Sequence, residues 1–277
     1  MIDGQDQRAA AWAITSGKGG VGKTTVSLNL GIALSGLGHQ VLLIDADLGL
    51  ANVDILLGLS PEATLQDLLE GNASALDVIV EGPEGLSILP SASGIAESDA
   101  WRPEARHRLA EELGRLERGF DLILIDTGAG ISPKVLDFVL SADQMLVVAI
   151  PEPTSIADAY AMVKICHNHH ESPQTGFLVN RARSPREAFD LHRKFNQIVN
   201  RFLDASIERC GYILEDLSVE QASRTQQPVL LSHPESAATK CILQIAKDLA
   251  PETAIPKKSG PGIFEQLLDR SFTATEI

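Results

Sequence analysis

Cysteine is scarce in this chain: Cys166, Cys210 and Cys241 are the only three, and no two form a CxxC pair. An odd, widely spaced set argues against a disulfide framework and against a zinc or iron–sulfur site, so these thiols read as small buried apolar residues. Aromatic residues make up only 4%, which leaves Leu, Ile, Val and Ala to build the core. No apolar run approaches the roughly 20 residues needed to span a bilayer. Met1 to Arg8 are polar, without an apolar segment of signal-peptide type, so the expected location is cytoplasmic. Basic residues are short as well, with 23 Lys and Arg against 37 Asp and Glu and a net charge of −14. That balance opposes non-specific DNA binding, which needs a basic surface to neutralise phosphates.

What the chain does have is regular alternation. Short apolar runs predict strands over 11–15, 41–45, 87–89, 122–126, 145–150, 176–180 and 207–213. Helical spacing between them predicts helices over 23–36, 64–69, 103–118, 132–141, 155–167, 185–203 and 235–249. Runs such as Leu122-Ile123-Leu124-Ile125 suit a parallel sheet covered on both sides. The expected fold class is α/β, a doubly wound, mostly parallel sheet with helices on both faces, over residues 11–250. A short polar extension, 1–10, precedes this domain, and a linker rich in Pro, Gly and Lys, 251–262, follows it. The tail, 263–277, places Ile263 with Leu267, and Phe264 with Leu268 and Phe272, on one helical face.

Gly17-Lys18-Gly19-Gly20-Val21-Gly22-Lys23-Thr24-Thr25 is the stretch most informative about chemistry. From Gly17 to Thr24 it satisfies G-x-x-x-x-G-K-[ST] between a strand and a helix, the context this pattern requires. The glycines let successive backbone N–H groups turn inward on a polyphosphate, and the helix N-terminus adds its dipole. Lys23 is then placed for the β- and γ-phosphates and the Thr24 hydroxyl for Mg²⁺. Asp45 and Asp47, two apart at a strand end, leave the same face toward the ligand crevice. Cys166-His167-Asn168-His169-His170 reads as a solvated helix terminus, because no matching ligand pair stands elsewhere.

With its second lysine, Lys18, the nonamer resembles the deviant P-loop K-G-G-x-G-K-[ST] of the MinD/ParA family of ATPases. The resemblance implies ATP and Mg²⁺ as ligands and a homodimer in the ATP state, with Lys18 reaching the partner subunit's nucleotide. It implies that Asp45 supports the Mg²⁺ shell, that Asp47 positions the attacking water and that Asp126 holds a Mg²⁺-bound water. Gly128, in Thr127-Gly128-Ala129-Gly130, would sense the γ-phosphate through its backbone, and Asn180-Arg181 matches the place where relatives recognise adenine. One departure is Leu214, in Gly211-Tyr212-Ile213-Leu214-Glu215-Asp216, where family members usually carry a proline.

Three stretches look most like the flagellar-number regulators, the FlhG/FleN type, with similarity over about 11–250. They are Asp45-Ala46-Asp47-Leu48-Gly49-Leu50-Ala51-Asn52-Val53-Asp54-Ile55-Leu56-Leu57-Gly58, Asp126-Thr127-Gly128-Ala129-Gly130-Ile131 and Pro151-Glu152-Pro153-Thr154-Ser155-Ile156-Ala157-Asp158-Ala159-Tyr160. This branch implies a role in flagellar number and placement, with the flagellar GTPase FlhF or a flagellar master transcription activator as partner. The D-Q-A-x-x-L-R motif that opens many flagellar members is reduced here to Asp6-Gln7-Arg8-Ala9-Ala10. Close relatives reach the membrane through a C-terminal amphipathic helix, for which 263–272 is the counterpart, with Phe264, Leu267, Leu268 and Phe272 as inserts. Its Glu265 and Asp269 offset Arg270, whereas interfacial helices favour Lys and Arg, so the other reading is a helix packed on its own domain. A MinD-type division-site protein or a ParA-type partition ATPase would share the chemistry. A binding module governed by ATP occupancy alone is the alternative of another class, and Asp47 counts against it.

Overall fold

The computed structural model describes residues 7–47, 53–59, 61–63, 65–91, 103–169, 172–250 and 255–270. After β1 (Gln7–Arg8) comes β2 (Ala10–Ser16), buried along its whole length as a strand covered on both faces must be. Then follow β3 (Val41–Ala46), β4 (Val80–Glu81), β5 (Ser87–Leu89), β6 (Leu122–Ala129) and β7 (Gln144–Ala149). The last strands are β8 (Gln174–Ala182), β9 (Glu208–Leu214) and β10 (Lys258–Ser259). Strands β2 to β9 form an eight-stranded sheet in the order β4-β5-β3-β6-β2-β7-β8-β9, parallel except for the antiparallel β4–β5 pair.

The first half of the chain adds α1 (Lys23–Gly36), α2 (Val53–Leu57), α3 (Leu65–Glu70), α4 (Ala75–Val78), α5 (Pro103–Glu117) and α6 (Pro133–Ser141). The second half adds α7 (Pro153–His167), α8 (Pro185–Leu203), α9 (Leu217–Arg224), α10 (Val229–Ser232), α11 (Ala237–Leu249) and α12 (Ile263–Arg270). Alternate strand residues supply two cores. Trp12, Ile14, Leu43 and Leu124 pack with Leu30 of α1, Val53 of α2 and Ile242 of α11. Ala11, Ala13, Ile44 and Ile125 pack with Phe138 of α6, Met162 of α7, Phe195 of α8 and Phe264 of α12. This is the doubly wound architecture expected from the apolar runs, and it delivers the carboxyl ends of β2, β3, β6 and β8 to one crevice.

Helices α1 and α8 occupy the expected spans. Helix α7 begins at Pro153, two residues earlier than expected, because proline is favoured in the first turn. Several short elements, β1, β4, β10, α2, α4, α9 and α10, have no counterpart in the expectation, since two to eight residues carry too little period to register.

The two terminal segments fold back onto the domain. β1 pairs antiparallel with β10, joining residues 7–8 to 258–259. Arg8 is buried and meets Asp143 through two hydrogen bonds of 2.8 Å, and the same carboxylate accepts the Ala11 N–H at 2.8 Å. Helix α12 follows the second of the two readings given for it: Ile263, Phe264 and Leu267 are buried against α5 and α6. Phe264 and Leu267 are therefore core residues here and not free inserts for lipid, while the Leu268 side chain and Phe272 lie outside the described residues. The helix start is fixed by Glu117, which accepts the Ile263 N–H at 3.1 Å. A Cβ on Gly262 would run into that carboxylate and displace it, so glycine leaves room for the bond to Ile263. Burial pushes the Glu117 carboxyl up despite this bond. Among the described residues, no helix is long and apolar enough to cross a membrane.

If α12 belongs to the core, Phe264→Ala should lower unfolding stability in urea by about 3–4 kcal/mol. A loss below about 1 kcal/mol would mean that the helix is not part of the cooperative fold.

Candidate functional site

The phosphate-type loop is shaped by glycines with different reasons. Gly20 and Gly22 are left-handed, with φ of 76° and 92°, and Gly22 caps α1 so that Lys23 and Thr24 open the helix. At Gly17 the reason is proximity, because a Cβ there would collide with the Asp158 carbonyl of α7. The loop is braced by Asn180 at the end of β8. Its Nδ2 donates to the Val21 carbonyl at 2.7 Å, and its Oδ1 accepts the Arg181 N–H at 2.9 Å. The amide of Asn180 is thus placed on the loop backbone, with Arg181 beside it in a left-handed conformation of φ 53°.

Asp126, within β6, is fully buried beneath this loop. Ser27, one helical turn after Lys23, donates its hydroxyl to Oδ1 at 2.8 Å. Oδ2 meets no donor at hydrogen-bonding geometry among the described residues, although the Thr24 hydroxyl and the Lys23 charge lie close. Desolvation dominates and raises the pKa to about 6, against the lowering by Thr24, Lys23 and Ser27, with the charge of Asp47 raising it further. A buried carboxylate with one unmatched oxygen beside a threonine hydroxyl and a lysine fits a hydrated hard cation.

Asp45 lies opposite Asp126 across β3 and β6. Its Oδ1 accepts the Asp47 N–H at 3.1 Å and its Oδ2 the Val53 N–H at 3.2 Å, so this carboxylate spans the loop between them. Asp47 comes to the crevice beside Gly128, where an added Cβ would stand 3.6 Å from Asp47 Oδ1. Residues 48–52 and the Asp54 side chain, part of the stretch that resembles the flagellar branch, lie outside the described residues.

Lys18 is held by α7: Nζ lies 2.8 Å from Glu152 Oε2 and 3.4 Å from Thr154 Oγ1, with both partners of the ion pair about half exposed. Beside Gly22 and Thr25 opens a cleft of ≈ 670 Å³ walled by Asn180, Arg181, Leu214, Asp216 and the α9 residues Val219 and Arg224. That size admits a nucleoside. Leu214 sits in its wall, at the position of the departure from the family pattern. Sequence reasoning missed Ser27, although its place four residues after Lys23 puts it on the same helix face. It also missed Glu152 as the partner of Lys18, for which a separation of 134 residues leaves no local signal.

The AAA domain family, AAA_31, matches residues 10–176. Antiactivator FleN of Pseudomonas aeruginosa is 40% identical over 267 residues, covering 96% of this chain and 95% of that protein. Flagellum site-determining protein YlxH of Helicobacter pylori is 33% identical, over 92% of this chain and 88% of that protein. The septum site-determining protein MinD of Pyrococcus horikoshii, solved as a complex with Mg-ADP, aligns with a TM-score of 0.71 at 28% identity. That match covers 88% of this chain and 96% of the other.

The raised acid of Asp126 has a consequence for stability. Its folded-state pKa of about 6 exceeds the ordinary 3.8, so folding favours the neutral acid. That contribution is present below 3.8 and lost as the pH rises through about 6. In nucleotide-free protein with EDTA, Asp126→Asn should therefore gain stability over the wild type across that interval and hold the gain above it. Urea midpoints that run parallel from pH to pH would contradict this.

Proposed function

The chain belongs to the MinD/ParA family of P-loop ATPases, and we propose that it is an ATP-gated dimerising switch that regulates flagellar number or placement. The observation that carries the reading is a braced P-loop whose second lysine, Lys18, is held by exposed contacts to Glu152 and Thr154. In this account Lys23 and the loop N–H groups take the β- and γ-phosphates, and Arg181 and the adjoining cleft take the adenosine. Thr24 and a water on Asp126 would hold Mg²⁺, which supplies charge neutralisation on the phosphates, with Asp45 ordering the loop around that site. Asp47 orients water at the γ-phosphate, and the backbone of Gly128 reads whether that phosphate is present.

Lys18 leaves Glu152 and crosses to the nucleotide of a second subunit. An exposed pair of this kind is worth only about 0.2–1 kcal/mol, so a charge-assisted phosphate contact outweighs it. Hydrolysis removes the γ-phosphate, the Asp47 loop and the Gly128 segment relax, and the dimer separates. Turnover is slow without a partner. That partner is a flagellar GTPase of the FlhF type or a flagellar transcription activator, a reading supported by near full-length similarity to a protein named an antiactivator. Membrane contact through 263–272 would require α12 to leave the core that buries Phe264.

Asp47→Ala should slow ATP hydrolysis by about 10²–10⁴ while ATP binding survives; a variant that hydrolyses normally removes the role given to Asp47. Lys18→Ala should bind ATP and sediment as a monomer, and a stable ATP dimer of that variant would remove the cross-subunit role of Lys18.

A further inference from the structure

Gln226 stands in a backbone conformation that glycine favours. It closes α9 in a turn where the Gln227 N–H donates to the Ala222 carbonyl at 3.0 Å and the Gln226 N–H to the Ser223 carbonyl at 3.2 Å. Gln226 itself is left-handed, with φ of 53°. Glycine is the usual residue at this place in a helix end, because a Cβ is strained there. The glutamine carboxamide makes a contact that glycine would forfeit: Nε2 donates to the Ile55 carbonyl of α2 at 2.9 Å, across 171 residues of sequence.

Both ends of that link lead to the nucleotide site. Helix α9 lines the base cleft with Val219, Glu220, Ser223 and Arg224. Leu56 of α2 and Val219 of α9 face a common small pocket with Thr25 of α1. At its start α2 is held by Asp45, whose two oxygens take the Val53 N–H and the Asp47 N–H. A continuous path of contacts therefore runs from the base cleft through α9, Gln226, α2 and Asp45 to Asp47.

We propose that Gln226 is a positioning residue, which couples occupation of the base cleft to the placement of Asp47; the proposal rests on the role given to Asp47 above. A base seated against Val219 and Ser223 fixes α9, and the carboxamide passes that constraint to the loop carrying the water-orienting acid. Base recognition and hydrolysis are then linked through a residue that touches neither nucleotide nor water.

Two variants test it. Gln226→Gly suits the left-handed turn and removes the carboxamide, whereas Gln226→Glu keeps the shape but replaces the donor with a carboxylate that repels the Ile55 carbonyl. Steady-state hydrolysis of Mg·ATP should show kcat reduced about three- to tenfold in both, with KM within about twofold of the wild type. The melting temperature of the glycine variant should not fall. Wild-type kcat in both variants would overturn the proposal, as would a loss of kcat that follows a lowered melting temperature. Asp47→Ala assayed alongside separates the failures. If it slows hydrolysis and the Gln226 variants do not, the coupling falls and the site reading stands; if it hydrolyses normally, both fall.

Discussion

Asp126 sits at the centre of the sheet, fully buried, with one oxygen bonded to Ser27 and the other meeting no donor among the described residues. Keeping a carboxylate there opposes folding, and the shift of its pKa to about 6 is the thermodynamic expression of that opposition. The surrounding structure answers the cost. Lys23 lies close enough to lower the pKa, and α1 directs Thr24 and Ser27 toward the same carboxylate. The loop before α1 must then be held in place, which the Asn180 bond to Val21 and the close approach of Gly17 to Asp158 accomplish. Strain and desolvation gathered at one crevice are what a site for a charged ligand requires.

The same crevice gathers the segments on which the proposed switch depends. Asp45 uses both oxygens on backbone N–H groups, so the segment from Asp47 to Val53 is tethered at each end by one side chain. Lys18 waits on Glu152 at the start of α7, the helix whose Asp158 also sets the distance to Gly17. The phosphate loop thus touches α7, and the Asp45 carboxylate links the Asp47 end of its loop to the start of α2. The terminal segments close onto the domain, since β1 pairs with β10 and α12 adds Ile263, Phe264 and Leu267 to the core on one side of the sheet.

Much of this architecture is legible in the amino-acid sequence. The Gly17–Thr25 pattern, the apolar runs of β2, β3 and β6 and the long periods of α1 and α8 are local properties of the chain, and they place the fold and the loop. What is not legible depends on groups far apart in sequence. The bond from the Asn180 amide to Val21, 159 residues away, has no local signal, and the same side chain also walls the base cleft. Nor does the local sequence show that the Asp45 carboxylate accepts the Asp47 and Val53 N–H groups and so ties its own loop together. The amphipathic pattern of 263–272 is visible in the sequence, but only the packing of α12 on α5 and α6, with Glu117 at its start, shows which partner its apolar face has.

The proposed switch requires above all that nucleotide state decide whether two copies of the chain associate. The most direct measurement is the solution mass, by light scattering, of Asp47→Ala protein in Mg·ATP and in Mg·ADP. A dimer in ATP and a monomer in ADP is the result the account predicts. A monomer in both would leave the phosphate loop standing but contradict the switch and the role given to Lys18.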